Sequence, residues 1–213
     1  MIAKELAARV EHTLFAAEAT ARDIERLCEE AKQNSFYAVC VNGSRVELTR
    51  ARVEESAVRV VALIGFPLGA ADADAKRYEV EIAIDQGAHE IDFVINHGWL
   101  NDGESRLVLR ELRDIVEAAD ERPVKALIEL ELLSQEEKLL FCKIAQDSGV
   151  GFIGAGTGYP NRTTSIDEIR LLSDALVGEL GIKAAGVRDL QTAQALIDAG
   201  ATRIGTTAGI WPA

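Results

Sequence analysis

Eight short apolar runs recur along the chain: ARVEH, YAVCV, VRVVALIGF, EIDFVIN, VKALIEL, VGFIGAG, GIKAAG and TRIGTTAG. Most are continuous rather than alternating, the pattern of parallel strands covered on both faces. The segments between them have a different period. After Thr20, the residues Ile24, Leu27, Cys28 and Ala31 fall at i, i+3, i+4 and i+7, one face of a helix. Ser134 with Glu137, and Ser165 with Glu168, have capping-box spacing ahead of apolar runs. Asp189 is placed to cap a helix containing Ala193, Leu196 and Ile197. Gly149, Gly181 and Gly200 are placed to close helices before the next strand. Alternation of this kind predicts an α/β fold in one domain over residues 1–213, a closed (β/α)8 TIM barrel. An open doubly wound sheet shares the alternation and is the alternative. No Pro/Ser-rich linker or low-complexity tract divides the chain.

Composition narrows the function classes. Hydrophobic residues make up 48% and charged residues 27%, a soluble globular balance. A formal net charge of −12 and a pI near 4.8 argue against a nucleic-acid partner, which needs a basic face. No basic amphipathic stretch suggests a membrane partner. One small anionic group remains admissible, because a few backbone N–H groups can hold it. Cys28, Cys40 and Cys142 are far apart and lack ligand spacing, so neither a disulfide framework nor a zinc site is expected. The opening MIAKELAARVEHTL mixes charged and apolar residues and does not read as a signal peptide; a cytoplasmic location is the expectation.

A barrel of this type places its chemistry where strands end and βα loops begin. The residues there are Glu11 and His12, Cys40 and Asn42, the GFPLGA loop, then Asp92, Asn96 and His97. Lys125 and Glu129, Gly154 to Gly158, Lys183 and Gly186, and Gly205 to Gly209 complete the ring. The GAGTG turn suits phosphate binding through backbone N–H groups, but Tyr159-Pro160 follows it, so it does not open a helix as a dinucleotide site would. Asp92 and Lys183 read equally as a structural ion pair or as a catalytic pair. His12 and His97, with Glu11, Asp92 and Glu129, read as hydrogen-bonded barrel residues or as a metal set; without ligand spacing, no metal is expected. Cys40 reads as a small core residue. Trp99 and Trp211 read as packing or loop anchors, with Trp211 alternatively covering the mouth.

Set in order, EHTLFAAEATARDIERLCEEA, AVCVN, IGFPLGA, GAHEIDFVIN, VKALIEL, TGY, IKAAGVRDLQTA and GATRIGTTAGI make the chain resemble the deoxyribose-phosphate aldolase family over nearly its whole length. The resemblance implies a (β/α)8 barrel that needs no metal or other cofactor. It also implies an aldehyde-lyase that reversibly cleaves 2-deoxyribose 5-phosphate to glyceraldehyde 3-phosphate and acetaldehyde through a lysine Schiff base. The expected partner is a small phosphorylated sugar or aldehyde, and a homo-oligomer is a further expectation. The family carries K-T-S-T-G-F on its sixth strand, with the lysine as nucleophile. Here the matching stretch is G-A-G-T-G-Y, which puts Gly154 at the nucleophile position and removes two hydroxyls at Ala155 and Gly156. A glycine cannot form an imine. Asp92 matches the carboxylate that takes part in proton transfer, and Lys183 the second lysine, whose charge lowers the nucleophile's pKa. Lys125 is also retained. Thr157, Gly158, Gly186, Gly205 and Thr207 match substrate-binding positions. The usual G-G is a single Gly186, and the usual G-T-S-S-G is Gly205-Thr206-Thr207-Ala208-Gly209. Glu11 stands for a usual Asp, Ala16 for a usual Lys, and Leu130-Glu131 for Thr-Gly. Three readings follow: an aldolase homologue with an impaired Schiff-base step, unless Lys183 or Lys125 serves as nucleophile; a silent barrel that binds a sugar phosphate or protein partner; and a metal or acid–base lyase using Asp92, Glu129 and His97.

Overall fold

The computed structural model describes residues 2–176, 178 and 180–207. Eight parallel strands pair in sequence order: β1 (Val10–Leu14), β2 (Ala38–Asn42), β3 (Arg59–Ile64), β4 (Glu90–Val94), β5 (Val124–Ile128), β6 (Phe152–Ala155), β7 (Gly181–Ala184) and β8 (Arg203–Thr206). β8 returns to β1, with Glu11 opposite Gly205 and His12 opposite Thr206. That last pairing makes a closed barrel and excludes the doubly wound sheet. Every expected strand is present, including ARVEH, which contributes β1.

Helices fill the intervals: α1 (Ile2–Ala7), α2 (Ala21–Gln33), α3 (Val46–Val53), α4 (Ala73–Asp85), α5 (His97–Asn101), α6 (Ser105–Ala118), α7 (Gln135–Ser148), α8 (Ile166–Ala175) and α9 (Leu190–Asp198). The caps read from sequence at Ser134, Ser165 and Asp189 form as expected, and the structure adds one at Thr20. Thr20 with Asp23, Ser134 with Glu137 and Ser165 with Glu168 make reciprocal capping boxes, and Asp189 accepts from the Thr192 amide. Each satisfies donors that the first helical turn leaves unpaired. Gly149 ends α7 at φ +92, as a left-handed cap. Gly181 does not close a helix. It opens β7, and a β-carbon there would fall 2.2 Å from the Phe152 ring, so the requirement is close packing and not a left-handed turn. Among the described residues, no helix is long and apolar enough to cross a membrane.

The two-residue period of the strands sorts their side chains. Outward-facing residues such as Val39, Phe93, Ile153 and Ile204 pack against the helices in the main core. A smaller apolar cluster of Ala38, Cys40, Val61, Leu63, Val94 and Leu127 lies apart from it, with Phe15 and Phe66 packed against it.

One ion pair outside that cluster holds the mouth loops. Lys76 on α4 lies 2.6 Å from Glu111 on α6, with both side chains buried. Its ammonium also donates to the Gly69 carbonyl (2.7 Å) and stands 4.7 Å over the Phe93 ring. Glu111 in turn accepts from the Asn96 amide (3.3 Å), so one pair ties the GFPLGA loop to the β4 exit. Breaking a buried pair strands the remaining charge. Lys76→Met is therefore expected to cost about 3–5 kcal/mol in urea denaturation, and Lys76→Met with Glu111→Leu to cost much less.

Candidate active site at the barrel mouth

Inside the barrel, period-two placement brings Glu90 and Asp92 of β4 together with Lys125 of β5, Lys183 of β7, Arg203 of β8 and Glu11 of β1. The Lys183 ammonium donates to both Glu11 and Asp92. Lys125 lies 2.7 Å from Glu90, 3.1 Å from Asp92 and 3.3 Å from Glu11. Arg203 lies 3.8 Å from Glu11 and stacks 3.7 Å over the ring of Tyr37, whose hydroxyl bonds Glu90. Three carboxylates thus meet three cations, all buried except Arg203, which is partly exposed.

The electrostatics follow from this packing. Burial pushes the Asp92 carboxyl up, but the two ammonium groups outweigh it and hold it below its usual 3.8. Burial pulls Lys183 down, yet Asp92 and Glu11 together lift it well above its usual 10.5. Lys125 is raised in the same way, against burial, by Asp92, Glu11 and Glu90. Both lysines are ammonium ions across the neutral range. Cys40, whose thiol faces Asp92 at 3.6 Å, is pushed well above its usual 9.0, first by burial and then by that carboxylate.

Above the charges, the space narrows. The inner cavity is lined by Thr13, Phe15, Cys40, Asp92, Leu127 and Lys183, together with Thr157, Gly186, Gly205 and Thr207. Its volume is about 10 Å³, room for a single water. A β-carbon built on Gly154 would lie 2.2 Å from Cδ2 of Leu127, so the leucine fills the space where a longer side chain would begin. Phe15, Phe66 and Tyr159 form an aromatic triad with ring centroids 5.1 to 6.0 Å apart. An outer recess of about 110 Å³ adjoins the inner cavity and shares Phe15, Gly186 and Thr207 with it; Gly158, Asn161, Arg162 and Arg188 also line it.

The structure gathers the sequence-predicted positions into this one region. Asp92, Lys183, Thr157, Gly186, Gly205 and Thr207 line the inner cavity, and Gly158, Gly186 and Thr207 the outer one. Thr157 directs both its amide (2.8 Å) and its hydroxyl (2.6 Å) at Glu129. Gly209, Ala208 and Trp211 lie outside the described residues. The histidines do not assemble a metal set. His12 faces α2, where its Nε2 meets Glu30 at 2.8 Å, and His97 accepts from the Glu129 amide at 2.8 Å. Among the described residues, no group of three or more His, Cys, Asp and Glu side chains is placed to hold a metal. Sequence reasoning missed Glu90, Tyr37, Arg203, Arg162 and Leu127. Glu90 was legible in principle, since it lies two residues before Asp92 and so shares its face.

A depressed carboxyl pKa contributes stability above the unfolded value that is lost as pH falls through the folded one. Burial raises Glu90 as it does Asp92, and the Lys125 charge again prevails, so Glu90 also sits below its usual 4.5. Thermal melts are therefore expected to lose stability as the pH drops below the usual carboxylate range. Asp92→Asn should start about 3–5 kcal/mol less stable at neutral pH and show a shallower acid slope.

The DeoC/LacD family aldolase profile matches residues 5–155. The deoxyribose-phosphate aldolase of Alkaliphilus oremlandii is 40% identical over 207 residues, covering 96% of this chain and 93% of that protein. The deoxyribose-phosphate aldolase of Bdellovibrio bacteriovorus is 41% identical over 207 residues, covering 97% and 94%. Among solved structures, the aldolase QR15 superposes with a TM-score of 0.92 at 32% identity, over 96% of this chain and 92% of that one. A deoxyribose phosphate aldolase from Aeropyrum pernix, described as a unique tetramer, gives a TM-score of 0.90 at 26% identity, over 97% and 89%. With the family profile, full-length relatives and barrel in agreement, this chain belongs to the DeoC/LacD aldolase family, as a homologue of the deoxyribose-phosphate aldolases.

Proposed function

We propose that this barrel binds a small phosphorylated sugar or aldehyde at its mouth and lacks the imine step of its aldolase relatives. The observation that carries the reading is the close approach of Leu127 Cδ2 to the β-carbon position of Gly154. The side chain that the resemblance makes the nucleophile is absent, and a neighbouring leucine fills the space it would leave.

Neither barrel lysine is poised to replace it. An amine attacks a carbonyl carbon only through its free electron pair, which a protonated ammonium lacks. Lys183 is held as an ammonium between Asp92 and Glu11, and Lys125 among three carboxylates. Lys125 is also fully buried. In this reading Asp92 and Lys183 keep their pairing but have no imine to serve. General acid–base groups alone supply roughly 10²–10⁴-fold, far short of the covalent route. The outer recess supports ligand binding, since Arg188 and the backbone at Gly158 and Gly186 surround a space of a size for one small group, while Arg162 beside them is already paired with Glu129, Glu131 and Glu168. The expected homo-oligomer has support in the tetrameric Aeropyrum pernix relative.

Borohydride reduction with 2-deoxyribose 5-phosphate, and separately with acetaldehyde, tests the reading by intact mass and peptide mapping. The protein is expected to keep its unmodified mass while a control aldolase is labelled. Gly154→Lys combined with Leu127→Ala, which clears the space, is expected to yield an adduct on residue 154. A reduced adduct on Lys183 or Lys125 of the unaltered protein would overturn the proposal.

A further inference from the structure

His97 is the first residue of α5, and it is half-buried at the β4 exit. The Nε2 atom accepts the Glu129 amide hydrogen at 2.8 Å, which leaves Nδ1 as the protonated nitrogen of the neutral ring. Glu129 is the residue through which β5 reaches the mouth. Its Oε1 accepts from the amide (2.8 Å) and hydroxyl (2.6 Å) of Thr157, and its Oε2 pairs with Arg162. The carboxylate also sits close to the GAGTG turn: a β-carbon at Gly156 would stand 3.3 Å from Oε2, and Gly156 has φ +89. Glu129 therefore sets the turn and, together with Glu131 (2.7 Å) and Glu168 (3.9 Å), the arginine beside the outer recess, and an imidazole holds the backbone that carries it.

We infer that His97 is a positioning residue for the mouth, fixing Glu129 and through it the Thr157 turn and Arg162, and that it does so only as a neutral ring. A doubly protonated imidazole has no lone pair and would set N–H against N–H. The charged groups facing the ring come from two neighbouring elements. Glu129 at the end of β5 favours the protonated form, and Lys76 on α4, itself paired with Glu111 on α6, disfavours it. A bond to the Ile95 backbone also favours protonation, but burial outweighs both and holds the ring below its usual 6.5. The link is thus intact at neutral pH and opens as the pH falls through that lowered value. The inference rests on the wall of the mouth alone, so it stands or falls independently of which ligand binds there.

Hydrogen exchange at single amides, corrected for its intrinsic pH dependence and read beside the nitrogen shifts of the His97 ring, tests it. Protection of the Glu129 amide is expected to fall about tenfold in step with ring protonation, the loss of one buried hydrogen bond. Thr157 should follow while the amides of β2 stay unchanged. His97→Gln, whose amide oxygen accepts without titrating, should keep Glu129 protected at every pH. His97→Leu should leave it weakly protected at every pH. Unchanged Glu129 protection while the ring protonates, or full protection in the leucine variant, would overturn the assignment. Loss of protection spread equally over β2 would do so as well, since it would report global loosening.

Discussion

Three carboxylates and three cations share the interior of a barrel that gives them almost no water. An isolated charge there would cost several kcal/mol, so each must be answered by a partner. Asp92 is the most constrained of them, bonded to both lysines and approached by the Cys40 thiol. Its pairing holds four strands at one level: Glu11 of β1, Asp92 of β4, Lys125 of β5 and Lys183 of β7. The same arrangement fixes the charge state of the lysines. A lysine that stabilises the barrel as an ammonium cannot at the same time offer a free amine.

The layer above the charges obeys a steric constraint. Gly154 leaves a gap on β6 that Leu127, opposite it on β5, closes from the side. The inner cavity is the size of a water, and the larger open volume lies farther out, beside Arg162 and Arg188. The glycine turn that follows β6 is shaped from below by Glu129. Glycine at 154 thus sets the lining of the mouth without altering the barrel, because the strand backbone pairs identically whatever side chain it carries. Function in this fold resides in the residues at the strand ends, and a family relationship fixes the scaffold more firmly than the reaction.

Much of the fold was legible because its signals are local. Ser134, Ser165 and Asp189 announce helix starts through bonds only three residues long. The strands announce themselves by apolar continuity. Gly181 misled because a glycine before a strand also serves where another ring, here that of Phe152, needs the room. The site was legible in part. Asp92 and Lys183 were both singled out, but their joint dependence on Glu11 and Lys125 arises from barrel closure, across sequence separations that no local pattern encodes. Leu127 could not be read as a filling residue at all, since an apolar residue on a strand looks the same whether it faces helix or cavity. His97 invited a catalytic reading by its type, and only the fold reveals a ring accepting a backbone hydrogen.

The account depends most on the protonation state of Lys183. Nitrogen-15 labelling of lysine, with the Lys183 Nζ signal assigned by Lys183→Arg and followed against pH, reads that state without any ligand. The account predicts an ammonium that persists above the usual 10.5. A Lys183 signal that loses its proton near neutral pH would contradict it, and would place a free amine at the heart of the barrel.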